Sequence, residues 1–227
     1  MSFPLRRAAA LLGLATLLGP AHAANVTLTG WAFGSAGTVQ VTGYTGPAGA
    51  YIGSLSGAPG FDASPFVTYC VEIEETFRFS STAMTGYSVV AGSTYFQSRR
   101  GDASIAERIG QLFTWAQAQP TRVDVASEST SLQAAVWNLV YDQDWSLGGS
   151  TGFRDQSSFR TYGNTLLAGG QSLGASAYDV FVLEKRGSQD FLLLRQRQDV
   201  PEPAGWALAL AGLAALGVAR RRRRVVP

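Results

Sequence analysis

"SIAERIGQLFTWAQAQP", residues 104–120, is the stretch on which the architecture turns. Read at 3.6 residues per turn, it places Ile105, Ile109, Leu112, Phe113 and Ala116 on one face of a helix. Ser104 and Glu107 stand at capping-box spacing, and Pro120 follows the end. What precedes it has a different period. Residues 25–55 are rich in Gly, Thr, Ser and Val, with short alternations such as "NVTLTGW" and "TVQVTGY", which reads as strands joined by glycine turns. A second helix is expected from about Glu128 to Tyr141, burying Leu132, Ala135, Val136, Leu139 and Val140. A third is expected over Asp155 to Ala168, stopped by Gly169 and Gly170. Strands return in "YDVFVLEK" and "DFLLLRQ", which "RGSQ" joins as a hairpin. Strands, then helices, then strands predict an α+β domain: a β-sandwich or barrel of short strands with an inserted helical segment.

The two ends of the chain have other compositions. "MSFPLRRAAALLGLATLLGPAHA" has two arginines, an apolar run from Ala8 to Leu18 and an Ala-His-Ala site, the pattern of a secretory signal peptide cut after Ala23. At the other end, Val200, Pro201, Glu202 and Pro203 interrupt regular structure. Ala204 to Ala219 is then apolar and uncharged, and Arg220, Arg221, Arg222, Arg223 and Arg224 close the run. The positive-inside rule keeps those arginines cytoplasmic and leaves the preceding domain outside. The expected organisation is a signal peptide over 1–23, an extracellular domain over 24–199, and a sorting segment with a transmembrane helix over 200–227.

That tail resembles the PEP-CTERM sorting signal, with Val200 to Pro203 as its motif. The resemblance implies export, recognition and removal of the tail by an exosortase, and an inner-membrane-anchored precursor. It also implies delivery to the cell surface or an extracellular matrix, with a link to exopolysaccharide and biofilm production.

Composition excludes several activities. Without Arg6, Arg7, Arg220 to Arg224 and Glu202, 11 basic residues face 15 acidic ones, a formal charge of −4. The sequence pI near 8.8 therefore belongs to the ends, and a nucleic-acid partner loses the basic patch it needs. The one histidine, His22, lies in the signal peptide, so no imidazole serves a Ser-His or Cys-His pair or a zinc site. No cofactor and no turnover enzyme are expected. A carboxylate site at Asp142 and Asp144 lacks a full calcium-loop pattern, and a solvated turn fits "DQD" better.

The single cysteine lies in "VTYCVEIEET", residues 67–76. Period two puts Val67, Tyr69, Val71 and Ile73 on one face and Thr68, Cys70 and Glu72 on the other. On that reading the thiol lies off the apolar face, with no intramolecular disulfide partner in an oxidising compartment. In "TSLQAAVWNLVYD", Gln133 sits at the edge of the second helix's apolar stripe, one turn before Trp137.

Together these segments resemble the thioester domains of bacterial surface adhesins, which carry a "TQxA" motif. Tyr69, Cys70, Val71 and Glu72 match the aromatic-Cys-apolar-acid strand, and Gln133, Ala134, Ala135, Val136 and Trp137 match the Gln-x-Ala-apolar-Trp helix. Leu132 stands where the family often has threonine. The resemblance implies an internal thioester between Cys70 and Gln133, shielded by Tyr69 and Trp137, that captures an amine-bearing surface target. The alternative is a non-catalytic structural or carbohydrate-binding matrix protein, with Trp31, Trp115 and Trp145 available for stacking on glycans.

Overall fold

A computed structural model describes residues 23–198 apart from 119, 143, 150 and 151. The expected signal peptide, apart from Ala23, and the sorting segment lie outside the described residues. The chain runs β1 (Ala24–Trp31), β2 (Gly37–Val41), β3 (Tyr44–Ala48), β4 (Tyr51–Ser56), β5 (Ala63–Thr68) and β6 (Met84–Ala91). Four helices follow: α1 (Gly92–Arg100), α2 (Ser104–Gln117), α3 (Ala126–Tyr141) and α4 (Arg160–Gln171). β7 (Tyr178–Glu184) and β8 (Phe191–Gln196) complete the α+β arrangement.

Six strands form one antiparallel sheet in the order β5-β4-β1-β6-β7-β8. Its two edges then meet. Beyond Thr68 the chain runs on beside β8, where Cys70 faces Phe191, Val71 N–H donates to Asp190 C=O at 3.0 Å and Leu192 N–H donates to Tyr69 C=O at 3.0 Å. Of the two expected architectures, the nearly closed barrel is the one present. Alternation fills its interior as period two requires: Ala24, Val26 and Leu28 of β1 are buried while their neighbours are not. At Gly53 of β4 a side chain would collide with Thr27 C=O, so that crossing needs glycine.

The helices fill the connection between β6 and β7. α2 buries all five residues expected of its apolar face. Its capping box does not form, because Asp102 takes the Ser104 N–H at 2.8 Å and its hydroxyl at 2.6 Å. Glu107 instead accepts from Ser176 N–H at 2.8 Å and pairs with Arg197 at 2.7 Å, tying α2 to the chain around β7 and β8. α1 was not legible from the sequence, since only Gly92, Tyr95 and Phe96 of its nine residues are buried. α4 starts later than expected and runs through Gly169 and Gly170. Those glycines are contact points, not stops: a Cβ on Gly170 would lie 2.9 Å from Leu112 Cα of α2. Residues 154–156 are not helical; they lie along β2, with Thr42 N–H donating to Arg154 C=O and Gln156 N–H to Gln40 C=O.

α3 is the centre of the molecule. Every residue from Ser129 to Val140 is buried, so beyond its first turn the helix has no solvent face and no single apolar stripe. Its polar residues receive the β2–β3 hairpin and the start of β4. Thr130 Oγ1 accepts from Gly37 N–H at 2.9 Å and donates to Ala48 C=O at 2.8 Å, and Ser129 Oγ accepts from Ala50 N–H at 2.8 Å.

Candidate functional site

The seam of the barrel carries Cys70. Because β5 ends at Thr68, strict alternation fails there: Val67 is 49% exposed, while Thr68, Tyr69, Cys70, Val71 and Glu72 are all buried. The face assignment made from period two is therefore corrected. The barrel covers one side of this segment and α3 the other, so both of its faces are interior and the thiol is buried with the rest.

Antiparallel geometry explains what Cys70 then lacks. Val71 N–H and Tyr69 C=O bond to β8, so Cys70 and Phe191 form a non-hydrogen-bonded pair and the Cys70 N–H and C=O point the other way. On that side the pairing of β5 with β4 has ended at Thr68. Gln133 of α3 fills the place. Its Oε1 accepts from Cys70 N–H at 2.9 Å and its Nε2 donates to Cys70 C=O at 3.0 Å, with the Gln133 side chain fully buried. Gln133 is thus not at the edge of a stripe but at the heart of the interior.

The Cys70 thiol donates to Tyr51 Oη at 3.3 Å. Burial pushes the thiol well above its ordinary range, the Tyr51 hydrogen bond opposes that shift, and the nearby Glu72 charge reinforces it. Burial likewise raises Tyr51, helped by Cys70. The thiol is held as a thiol.

Cys70 lines a pocket of about 350 Å³. Trp31, Tyr44, Tyr51, Phe77, Phe79 and Trp137 line it with their rings. Tyr51 packs on three of these rings, with centroids 4.8 Å from Trp31, 4.7 Å from Phe77 and 5.9 Å from Phe79. Tyr44 meets Trp137 edge to face at 5.4 Å. Trp137, expected to shield the thiol, lines the same pocket as Cys70. Tyr69 is placed elsewhere: its ring packs on Phe113 at 5.4 Å and its hydroxyl lies 3.3 Å from Ser129 Oγ. Successive residues of an extended chain point in opposite directions, so Tyr69 and Cys70 share no pocket wall here. Of the tryptophans considered for glycan stacking, Trp31 lines this pocket, whereas Trp115 and Trp145 lie against Gly169 and Gly170 of α4.

Phe77 and Phe79 belong to the connection between Glu72 and β6. Residues 74–79 of it make no backbone-to-backbone hydrogen bond among the described residues. Its ends are tied: Tyr141 Oη accepts from Ile73 N–H at 3.0 Å and donates to Glu74, and Ser80 N–H donates to Leu28 C=O at 3.0 Å. Between those ties the aromatic packing over Tyr51 holds it in place.

At the "DQD" turn, Asp144 accepts from Asn138 and from Ser146 N–H, and Asp142 accepts from Phe153 N–H. These carboxylates order a loop. Among the described residues no group of three or more His, Cys, Asp or Glu is placed to hold a metal. Among them, too, no helix is long and apolar enough to cross a membrane; Ala204 to Ala219 lies outside them.

A family model described as the PEP-CTERM protein-sorting motif matches residues 199–224. This chain carries a PEP-CTERM sorting motif. The match takes in Val200 to Pro203, the apolar run and Arg220 to Arg224. It implies an exported precursor, anchored in the membrane and processed by an exosortase for the cell surface. No curated protein and no solved structure matches the chain.

Proposed function

We propose that this exosortase-processed protein attaches covalently to an amine-bearing target through an internal thioester between Cys70 and Gln133. The observation that carries the reading is the reciprocal pairing of the Gln133 carboxamide with the Cys70 backbone, buried beneath an aromatic pocket that Cys70 lines. Sγ of Cys70 attacks Cδ of Gln133, and the C–S bond forms as the C–N bond breaks. The thiol proton leaves with Nε2 as ammonia. Cys70 N–H, already on Oε1, stabilises the oxyanion of the tetrahedral intermediate, and Tyr51 Oη stands on the thiol to pass its proton. No histidine is required, since enforced proximity supplies effective molarities of about 10⁵ M or more.

A target amine then displaces the thiol, forming an amide on Gln133 and returning the proton to Sγ. The event happens once per molecule, which makes the protein an adhesin and not a turnover enzyme. Tyr51, Phe77, Phe79 and Trp137 exclude water from the bond until the amine enters. The target is a surface amine or one carried by an exopolysaccharide.

A second reading rests on the same pairing. Both polar atoms of Gln133 are satisfied as they stand and burial keeps the thiol protonated, which suits a structural clasp in a matrix protein with no thioester. Intact mass distinguishes them. Under the thioester reading the mature protein is one ammonia lighter than its sequence and methylamine restores a titratable thiol; under the structural reading the full mass and a free Cys70 are found from the start.

A further inference from the structure

On the far side of Cys70 the seam is closed by three side chains. Tyr95 of α1 places its hydroxyl 2.9 Å from Glu72 Oε2 and 2.7 Å from Asp190 Oδ2, and all three residues are buried. A tyrosine hydroxyl has one proton to donate. It serves one carboxylate, and the other oxygen at hydrogen-bond distance must carry a proton of its own to bond to Tyr95 rather than repel it.

The remaining bonds agree with that count. Glu72 Oε1 accepts from Asp190 N–H at 2.8 Å and Asp190 Oδ1 from Lys185 N–H at 2.8 Å, which leaves one oxygen of each carboxyl for the hydroxyl. Among the described residues neither carboxylate forms an ion pair. The cations nearby are engaged otherwise. From α1, Arg99 pairs with Glu184 at 2.6 Å and Arg100 faces Glu74 at 3.6 Å. From the β7–β8 turn, Lys185 lies 5.7 Å over the Tyr87 ring of β6, and Arg186 lines a surface pocket onto which Glu72, Tyr95 and Asp190 also border. Glu75, lining the same pocket, adds a further negative charge. Burial first, then the neighbouring Asp190 charge, pushes Glu72 up to about 7; burial likewise pushes Asp190 up to about 6.

We propose that Tyr95, Glu72 and Asp190 form a proton-keyed clasp: one carboxyl keeps its proton and donates it to the Tyr95 hydroxyl, which donates to the other carboxylate, and this chain of bonds holds the barrel seam closed beside Cys70 until the proton is lost. Glu72 lies two residues from Cys70, and Asp190 adjoins Phe191, which faces Cys70 across the seam. The clasp does not depend on a thioester.

The sign follows from linkage. Carboxyls raised in the folded state bind protons that the unfolded chain has released, so their stabilisation is complete below their ordinary range and is lost as pH rises through about 6 to 7. The test is calorimetric unfolding of the exported protein from about pH 5 to about pH 8. Wild type is expected to lose on the order of 5 °C in melting temperature over that range. Glu72→Gln, which carries the proton's equivalent permanently, is expected to flatten the profile and to melt above wild type at the alkaline end. Should that variant fail to fold, the infrared carbonyl band of a protonated carboxyl, present in wild type at the acid end and lost towards the alkaline end, gives the same answer. A wild-type profile that is flat or rising means that both carboxyls are ionised and overturns the clasp; a Glu72→Gln profile as steep as wild type overturns it too, because the pH dependence then comes from another group.

Discussion

Gln133 pairs with Cys70 as a neighbouring strand would, accepting from its N–H at 2.9 Å and donating to its C=O at 3.0 Å. The helix is thereby joined to the barrel seam by a side chain standing in for a peptide unit. A glutamine is needed for this, because one group must both donate and accept in the right order.

In protein whose Gln133 still carries its amide nitrogen, before any thioester forms, Gln133→Ala removes both bonds and leaves a buried N–H and a buried C=O unpaired. A loss of about 2–5 kcal/mol is expected in urea unfolding. Cys70→Ala keeps the backbone pairing and is expected to cost about 1–2 kcal/mol, the loss of a small buried group. Equal costs would show that the carboxamide does not hold the seam.

Leu139 is fully buried on α3. Leu139→Ala is expected to cost about 2–5 kcal/mol. A change within about 0.5 kcal/mol, the size of an ordinary surface effect, would mean that α3 is not the central helix.

Gly170→Ala puts a Cβ 2.9 Å from Leu112 Cα, backbone that cannot swing aside. The α2–α4 contact is expected to open at a cost of about 1–3 kcal/mol, seen as a lower midpoint in thermal or urea unfolding. An unchanged midpoint would contradict the close helix approach.

Much of this architecture is legible in the sequence, and the parts that are not have physical reasons. The stripe from Ile105 to Ala116 carries its period openly because one side of α2 is buried and the other less so, and the hairpin of β7 and β8 is marked by its apolar runs on either side of "RGSQ". Gln133 and Cys70 could be paired from their motifs. The faces around Cys70 could not be read, because the chain leaves β5 at Thr68 and is buried on both sides afterwards. Tyr51, Phe77 and Phe79 are not legible for a related reason: the last two lie in a connection with no period, and only the barrel's closure brings them to the pocket that Cys70 lines. The acceptors that Asp102 and Arg197 offer or claim likewise override the local capping box.

Phe77→Ala and Phe79→Ala thin the aromatic cover above Tyr51. Made in a Gln133→Ala background, where no thioester forms, each is expected to speed alkylation of Cys70 by roughly tenfold, a barrier change of about 1.4 kcal/mol. Rates unchanged from the background variant would assign the shielding elsewhere.

The central claim is the bond between Cys70 and Gln133, and the intact mass of freshly exported protein never exposed to amines or alkali tests it most directly. The account predicts a mass lower than the mature sequence by one ammonia, no titratable thiol, and, on adding methylamine, a return of the thiol with methylamine fixed at Gln133; Cys70→Ala and Gln133→Ala each abolish the change. Full mass with a freely titrating Cys70 would contradict it.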